Sequence, residues 1–174
     1  RRLKTPVDKG FTHLVYLVDD DTKHLMLLKD HLERYSEYPL EIKLFTSGEN
    51  CLEKMHEGPS VVVLDYHLDG IRPDAADGLH ILKSILRDHP DTDVIMMSAQ
   101  DQLEVGLLTL EHGAADYAIK GETAFLRAEF ALSRLLERRA AERYSAQQSR
   151  QLRILYVLLA ALAIALVGVA VVAI

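Results

Sequence analysis

The chain has 174 residues, 26 % charged and 49 % hydrophobic, enough for one compact domain and an appendage. Its net charge of −6 is unevenly split: residues 1–122 hold 13 Lys/Arg against 23 Asp/Glu, and residues 123–174 hold 7 against 3. The acidic front argues against a nucleic-acid surface there, since phosphate backbones need basic partners, and the lone Cys51 excludes an intrachain disulfide and a cysteine zinc site.

Residues 1–12 carry mixed charge without a period and read as a leader; the absence of an initial Met suggests a fragment. Leu14 to Val18 is a short apolar run that ends at Asp19 and Asp20 and predicts a buried strand. Leu25, Leu28, Leu32 and Tyr35 then recur at helical spacing, with Asp21 or Thr22 as N-cap. Leu40 to Phe45 alternates as a second strand, and Ser47-Gly48-Glu49 opens a short helix through His56 that Gly58-Pro59 breaks. The third strand, Val61 to Leu64, ends at Asp65. A turn-rich loop, Asp69 to Gly78, leads into a helix from Leu79 to about Arg87. Strand four is Val94 to Met97, closed by Ser98; helix four runs from about Gln102 to Glu111; strand five, Tyr117 to Ile119, ends at Lys120. The last helix starts near Thr123, with Phe125, Leu126, Phe130, Leu135 and Leu136 as its packing residues. Five βα units with right-handed crossovers make an α/β, doubly wound, three-layer sandwich on a five-stranded parallel sheet with an extended C-terminal helix.

Residues 13–138 are thus one domain, and 139–153 read as a polar, basic helical linker. Residues 154–174, ILYVLLAALAIALVGVAVVAI, carry no charge or amide and no hydroxyl but that of Tyr156. At about 1.5 Å per residue such a helix covers about 30 Å, the thickness of a bilayer core, so the segment is expected to be a single transmembrane helix in contact with lipid. A buried core helix would be shorter and show a polar face. Arg138, Arg139, Arg143, Arg150 and Arg153 precede it, which by the positive-inside rule places the acidic domain on the cytoplasmic side. Gly168 and the alanines permit close helix packing without a clean dimer motif, so dimerisation stays open.

Ligands of such sheets bind beyond the carboxyl ends of the strands. One edge therefore gathers Asp19, Asp20, Asp65, Ser98 and Lys120, a set suited to phosphoryl transfer around a divalent cation. Taken singly, each has an ordinary role: the acidic triplet as a cap, Lys120 as surface charge, Ser98 as the cap of helix four, Tyr117 as a half-buried sheet residue. Their coincidence carries the reading.

The order of elements, with Val18-Asp19-Asp20-Asp21, Val63-Leu64-Asp65, Asp77-Gly78-Leu79, Met97-Ser98-Ala99, Asp116-Tyr117 and Ile119-Lys120 in place, resembles the receiver domain of bacterial response regulators across roughly residues 13 to 138. The resemblance implies a flavodoxin-like sheet of order 2-1-3-4-5. It implies that Asp65 is the phosphoacceptor for a sensor histidine kinase or histidine phosphotransfer protein. Mg²⁺ would be held by Asp20, Asp65 and the backbone carbonyl of His67, with Asp19 acting through a coordinated water. Lys120 and Ser98 would bind phosphoryl oxygens, Ser98 and Tyr117 would form the switch, and His67 and Gln100 would tune phosphate lifetime. The protein would be a phosphoacceptor that assists its own phosphorylation and dephosphorylation rather than an enzyme with a separate substrate. No DNA-binding output segment is expected after Lys120.

Two departures stand out. Gly121 follows Lys120 where the family usually places a cis proline, so Gly121 is expected to shape its loop through its own φ freedom. The loop from Asp65 to Gly78 is longer than usual and is either a surface insertion or a gate over Asp65; Asp69-Gly70 and Asp74 lack the spacing of a calcium loop. His13, His24, His31, His56, His80, His89 and His112 show no paired metal spacing and read as ordinary core or surface residues. Three rivals remain: the receiver portion of a larger membrane signalling protein, a membrane-tethered scaffold without phosphate turnover, and a metal-dependent phosphatase, whose Asp-x-Asp pattern is only loosely matched by Asp19-Asp20-Asp21.

Overall fold

The structure, a computed structural model, describes the backbone of residues 11–68, 78–99 and 103–172 and the side chains of 11–68, 78–98 and 104–159. The elements alternate in chain order: β1 (His13–Val18), α1 (Thr22–Tyr35), β2 (Leu40–Phe45), α2 (Gly48–Lys54) with a 3₁₀ turn at Met55–Glu57, β3 (Val61–Asp65), α3 (Gly78–Asp88), β4 (Asp93–Ala99), α4 (Leu103–Glu111), β5 (Asp116–Lys120) and α5 (Ala124–Val172). All pairings are parallel and the strand order is β2-β1-β3-β4-β5. This is the flavodoxin-like sheet expected from the sequence.

The inner strands β1 and β3 are almost wholly apolar because both faces of the sheet are covered there, whereas the edge strand β2 carries Glu41 and Lys43 and has no buried residue. Successive residues point to opposite faces, so Val15, Leu17, Val61, Val63, Ile95 and Met97 face α1 and α5, where they meet Leu25, Leu28, Leu32, Ala128, Leu132 and Leu136. Tyr16, Val18, Val62, Leu64, Val94 and Met96 face the other way, onto Cys51, Met55, Ile81, Leu82 and Ile85. This two-sided core fixes where each strand stops, and hence where its terminal polar residue emerges.

Asp21 caps α1, accepting from the Lys23 and His24 backbone N–H groups at 2.8 and 3.3 Å. Ser47 caps α2 in the same manner. Three packing expectations need correction. Tyr35 is exposed: only Leu25, Leu28 and Leu32 of its helical stripe are buried, and α1 ends at Tyr35 itself. Leu126 and Phe130 are likewise exposed, whereas Leu135 and Leu136 are buried as expected. The buried stripe of α5 is Ala124, Ala128, Ala131, Leu132, Leu135 and Leu136, recurring at i, i+4, i+7, i+8, i+11 and i+12. The small side chains of Ala124, Ala128 and Ala131 let the first part of the helix approach the sheet, and Leu126 and Phe130 fall on the opposite face. Gly121 does not adopt a left-handed φ, and the space where a Cβ would sit is open, so that loop does not draw on the freedom of glycine.

The chain divides into two compact units, 1–136 and 137–174, and α5 contributes to both. In the second unit Leu152 and Ile154 to Leu159 are all more than half exposed. No helix among the described residues is long and apolar enough to cross a membrane. The expected span 154–174 lies, from residue 160 onward, outside the described side chains, as the expected leader 1–12 lies mostly outside the described residues.

Candidate functional site

Four strands, β1, β3, β4 and β5, end side by side because their apolar runs end in register. Val18 of β1 lies opposite Leu64 of β3, Asp65 lies opposite Met97 of β4, and Ala99 lies opposite Lys120 of β5. The residues that follow or close these runs therefore meet. Lys120 Nζ donates to Asp19 Oδ2 and to Asp65 Oδ2, each at 2.7 Å. One oxygen each of Asp19, Asp20 and Asp65 lies within 4.8 Å of the others. Asp19 and Asp65 are buried, Asp20 half-buried, and Ser98 is fully buried at the end of β4.

Three carboxylates face one ammonium, a local excess of two negative charges when all are ionised. Burial pushes the Asp65 carboxyl above the ordinary range, and the neighbouring Asp19 adds to this; the Lys120 ammonium and the His67 backbone pull it down without offsetting it. Burial also acts on Asp19, but the hydrogen bonds from His24 and Lys120 and the Asp21 N–H outweigh it and hold that carboxyl low. Burial draws Lys120 down, yet its two carboxylate partners outweigh this and raise it. Asp65 Oδ1 is buried and has no hydrogen-bond partner among the described residues. Three carboxylates converging in this way, two of them buried, are a hard-oxygen donor set that fits a divalent cation.

The backbone of the site is held by a forced glycine. A Cβ on Gly78 would run into the Asp65 carbonyl oxygen and come within 2.7 Å of Tyr66 Cα, and the Gly78 N–H donates to the Tyr66 carbonyl at 2.9 Å. The start of α3 is thus pressed directly onto the end of β3. Across the sheet, the Tyr66 N–H donates to the Met97 carbonyl at 2.7 Å, tying the segment after Asp65 to β4.

Tyr117 is half-buried with its ring against α4: a Cβ on Gly106 would lie 2.9 Å from Tyr117 Cδ1 and Cε1. Its hydroxyl is buried and unpaired among the described residues. His67 is exposed and makes an edge contact with Tyr66 at 5.0 Å between ring centroids. Gln100 and the loop 69–77 lie outside the described residues.

One residue read as ordinary does not behave so. His24 Nδ1 sits 2.7 Å from Asp19 Oδ2, inside the cluster. The signal in the sequence was its place in the first turn of a helix whose cap, Asp21, lies two residues after Asp19; metal-ligand spacing was the wrong pattern to seek.

The family model described as response regulator receiver domain matches residues 15–127. Among curated proteins, transcriptional regulatory protein CssR of Bacillus subtilis (strain 168) is 36 % identical over 109 residues, which are 63 % of this chain and 45 % of that protein. DNA-binding transcriptional regulator NtrC of Escherichia coli (strain K12) is 32 % identical over 108 residues, 62 % of this chain and 21 % of that one. The chain therefore spans less than half the length of these relatives. Among solved structures, the signal receiver domain of a LuxO repressor protein from Vibrio parahaemolyticus matches with a TM-score of 0.67 at 21 % identity, covering 78 % of this chain and 98 % of that one.

Proposed function

The chain belongs to the response regulator receiver domain family, and from that premise we propose that Asp65 accepts a phosphoryl group from a sensor histidine kinase or a histidine phosphotransfer protein. The observation that carries this reading is the state of the Asp65 carboxylate: Oδ2 is held by Lys120 at 2.7 Å, while Oδ1 is buried and has no partner among the described residues. One oxygen is oriented and the other is left as nucleophile.

Asp19, Asp20 and Asp65 would hold Mg²⁺, with the His67 backbone carbonyl as a further ligand. Bound there, the ion offsets the carboxylate charge that would repel an incoming phosphoryl group. In the transfer, Asp65 Oδ1 forms a bond to phosphorus as the bond from phosphorus to the donor imidazole nitrogen breaks. The bonding pair leaves on that nitrogen. Lys120 moves from the carboxylates to a phosphoryl oxygen, and the Ser98 hydroxyl donates to another. Drawing Ser98 toward the new group, with Tyr117 repacking on α4, biases the β4–α4 segment between two arrangements. His67 and Gln100, two residues after Asp65 and Ser98 in sequence, stand at the positions where receivers tune phosphate lifetime.

The C-terminal segment 154–174 anchors this switch in the cytoplasmic membrane, with the acidic domain on the cytoplasmic side. Its uncharged length, the arginines on its N-terminal side and the exposure of Ile154 to Leu159 support this. The test of the central step is Mg²⁺-dependent labelling of the full chain by acetyl phosphate. Wild type is expected to form an alkali-labile acyl phosphate, and Asp65→Asn none; equal labelling of the two removes the reading.

A further inference from the structure

We propose that His24 is a positioning residue of this site: its Nδ1–H holds the Asp19 carboxylate in place when Lys120 leaves it for the incoming phosphoryl group. The inference rests on the phosphoacceptor reading above.

Asp19 is buried, and its oxygens are spoken for. Oδ1 accepts the Asp21 N–H at 2.9 Å, and Oδ2 accepts Lys120 Nζ and lies 2.7 Å from His24 Nδ1. An ionised carboxylate offers no proton, so the hydrogen in the His24 contact sits on Nδ1. The same Lys120 ammonium also serves Asp65. Phosphorylation calls on that ammonium to follow the phosphoryl oxygen, and Asp19 then keeps only His24 as a side-chain donor among the described residues. Without it, a buried carboxylate oxygen loses its last side-chain partner at the moment the charge nearby is greatest.

The imidazole is itself fixed from two sides. The His24 N–H is bound by the cap Asp21 at 3.3 Å. The ring rests on Phe125 of α5 at 5.2 Å between centroids and 49° between planes. Phe125 also meets His31 at 5.9 Å, and His31 Nε2 lies 3.1 Å from Glu129 of α5. The pose of the donor is therefore set by the packing of α1 on α5.

The test uses the full chain, titrated with Mg²⁺ alone by calorimetry and then labelled with acetyl phosphate, in wild type, His24→Leu, His24→Gln and His24→Asn. The Asn amide nitrogen falls where Nδ1 sits, so Asn keeps the donor and loses the ring. Leu keeps apolar packing on Phe125 and loses the donor; Gln moves the donor toward the Nε2 position. His24→Leu and His24→Gln are expected to weaken Mg²⁺ binding and slow labelling by about tenfold, the low end of what a lost hydrogen bond to a charged group costs. His24→Asn is expected to restore both to within about threefold of wild type. Melting in EDTA checks that each variant folds, and His24→Gln stands in should His24→Leu not. An Asn variant as defective as the Leu variant, or a Leu or Gln variant equal to wild type, overturns the inference while leaving a labelled wild type and the phosphoacceptor reading intact. A wild type that neither binds Mg²⁺ nor takes label removes both.

Discussion

Two aspartates a few ångströms apart, sharing one lysine, have carboxyl groups displaced in opposite directions. The difference is in donors: Asp19 receives His24, Lys120 and the Asp21 N–H, whereas Asp65 has Lys120 and the His67 backbone, which do not offset its burial, and its Oδ1 has no hydrogen-bond partner among the described residues. Asp20→Ala removes a hard oxygen ligand and is expected to weaken Mg²⁺ affinity about 10–100-fold. Lys120→Ala removes a like-charge neighbour of the cation, so affinity is expected to hold or rise. In metal-free buffer it leaves Asp19 and Asp65 uncompensated and lowers stability by about 1–3 kcal/mol. Calorimetric Mg²⁺ titration with melting in EDTA checks both; equal Mg²⁺ affinity in wild type and Asp20→Ala contradicts the ligand assignment.

Cys51 of α2, also a single residue of consequence, is fully buried in the core shared with β1 and α3, and burial pushes its thiol up to about 12. A group with a raised folded pKa stabilises the fold fully below its unfolded value, and that contribution is lost as pH rises toward the folded value. The stability advantage of wild type over Cys51→Ala, followed by urea melts, is therefore expected to shrink between about pH 9 and 12. A constant gap across that window contradicts the burial effect. At this scale the sequence was legible wherever a polar residue closed an apolar run, as at Asp65 and Lys120. It put His24 in the first turn of α1 but not its ring against Asp19, because which way a first-turn side chain turns depends on the helix packed above it.

Strand and helix existence, order and type were readable because buried parallel strands are continuous apolar runs set between helical periods. β2 coincides with its expected span, and the other strands extend it by one to three residues. What could not be read was closeness of approach. Leu126 and Phe130 drew attention by size, yet the sheet is met by Ala128, Ala131 and Leu132, since a helix close to a sheet needs small residues at the contact. Gly78 has the same logic, as its first-turn backbone lies against Asp65 and Tyr66. Gly78→Ala is expected to cost about 1–3 kcal/mol by forcing α3 away from β3. It is also expected to slow labelling of Asp65 beyond the loss of folded protein. Urea melts and acetyl phosphate labelling of the same sample check this, and a variant matching wild type in both contradicts the close contact.

At the scale of the molecule, residues 1–122 are acidic, whereas residues 123–174 are basic and then uncharged and apolar from 154 to 174. Charge and apolar length were the whole of the signal for the second part. Full chain expressed in a bacterium is expected to sediment with membranes and to resist alkaline extraction. A chain ending at Gln151 is expected in the supernatant. Full chain that remains monomeric in solution without detergent contradicts the anchor. The phosphoacceptor claim stands apart from the anchor, and one measurement reaches it most directly. Full chain is incubated with acetyl phosphate and Mg²⁺, reduced with borohydride to convert any aspartyl phosphate to homoserine, and mapped by peptide mass spectrometry. Homoserine is expected at position 65 alone, absent when Mg²⁺ is chelated and absent from Asp65→Asn. Homoserine at Asp19 or Asp20 instead, or an unmodified Asp65 under conditions where Mg²⁺ binds, contradicts the account.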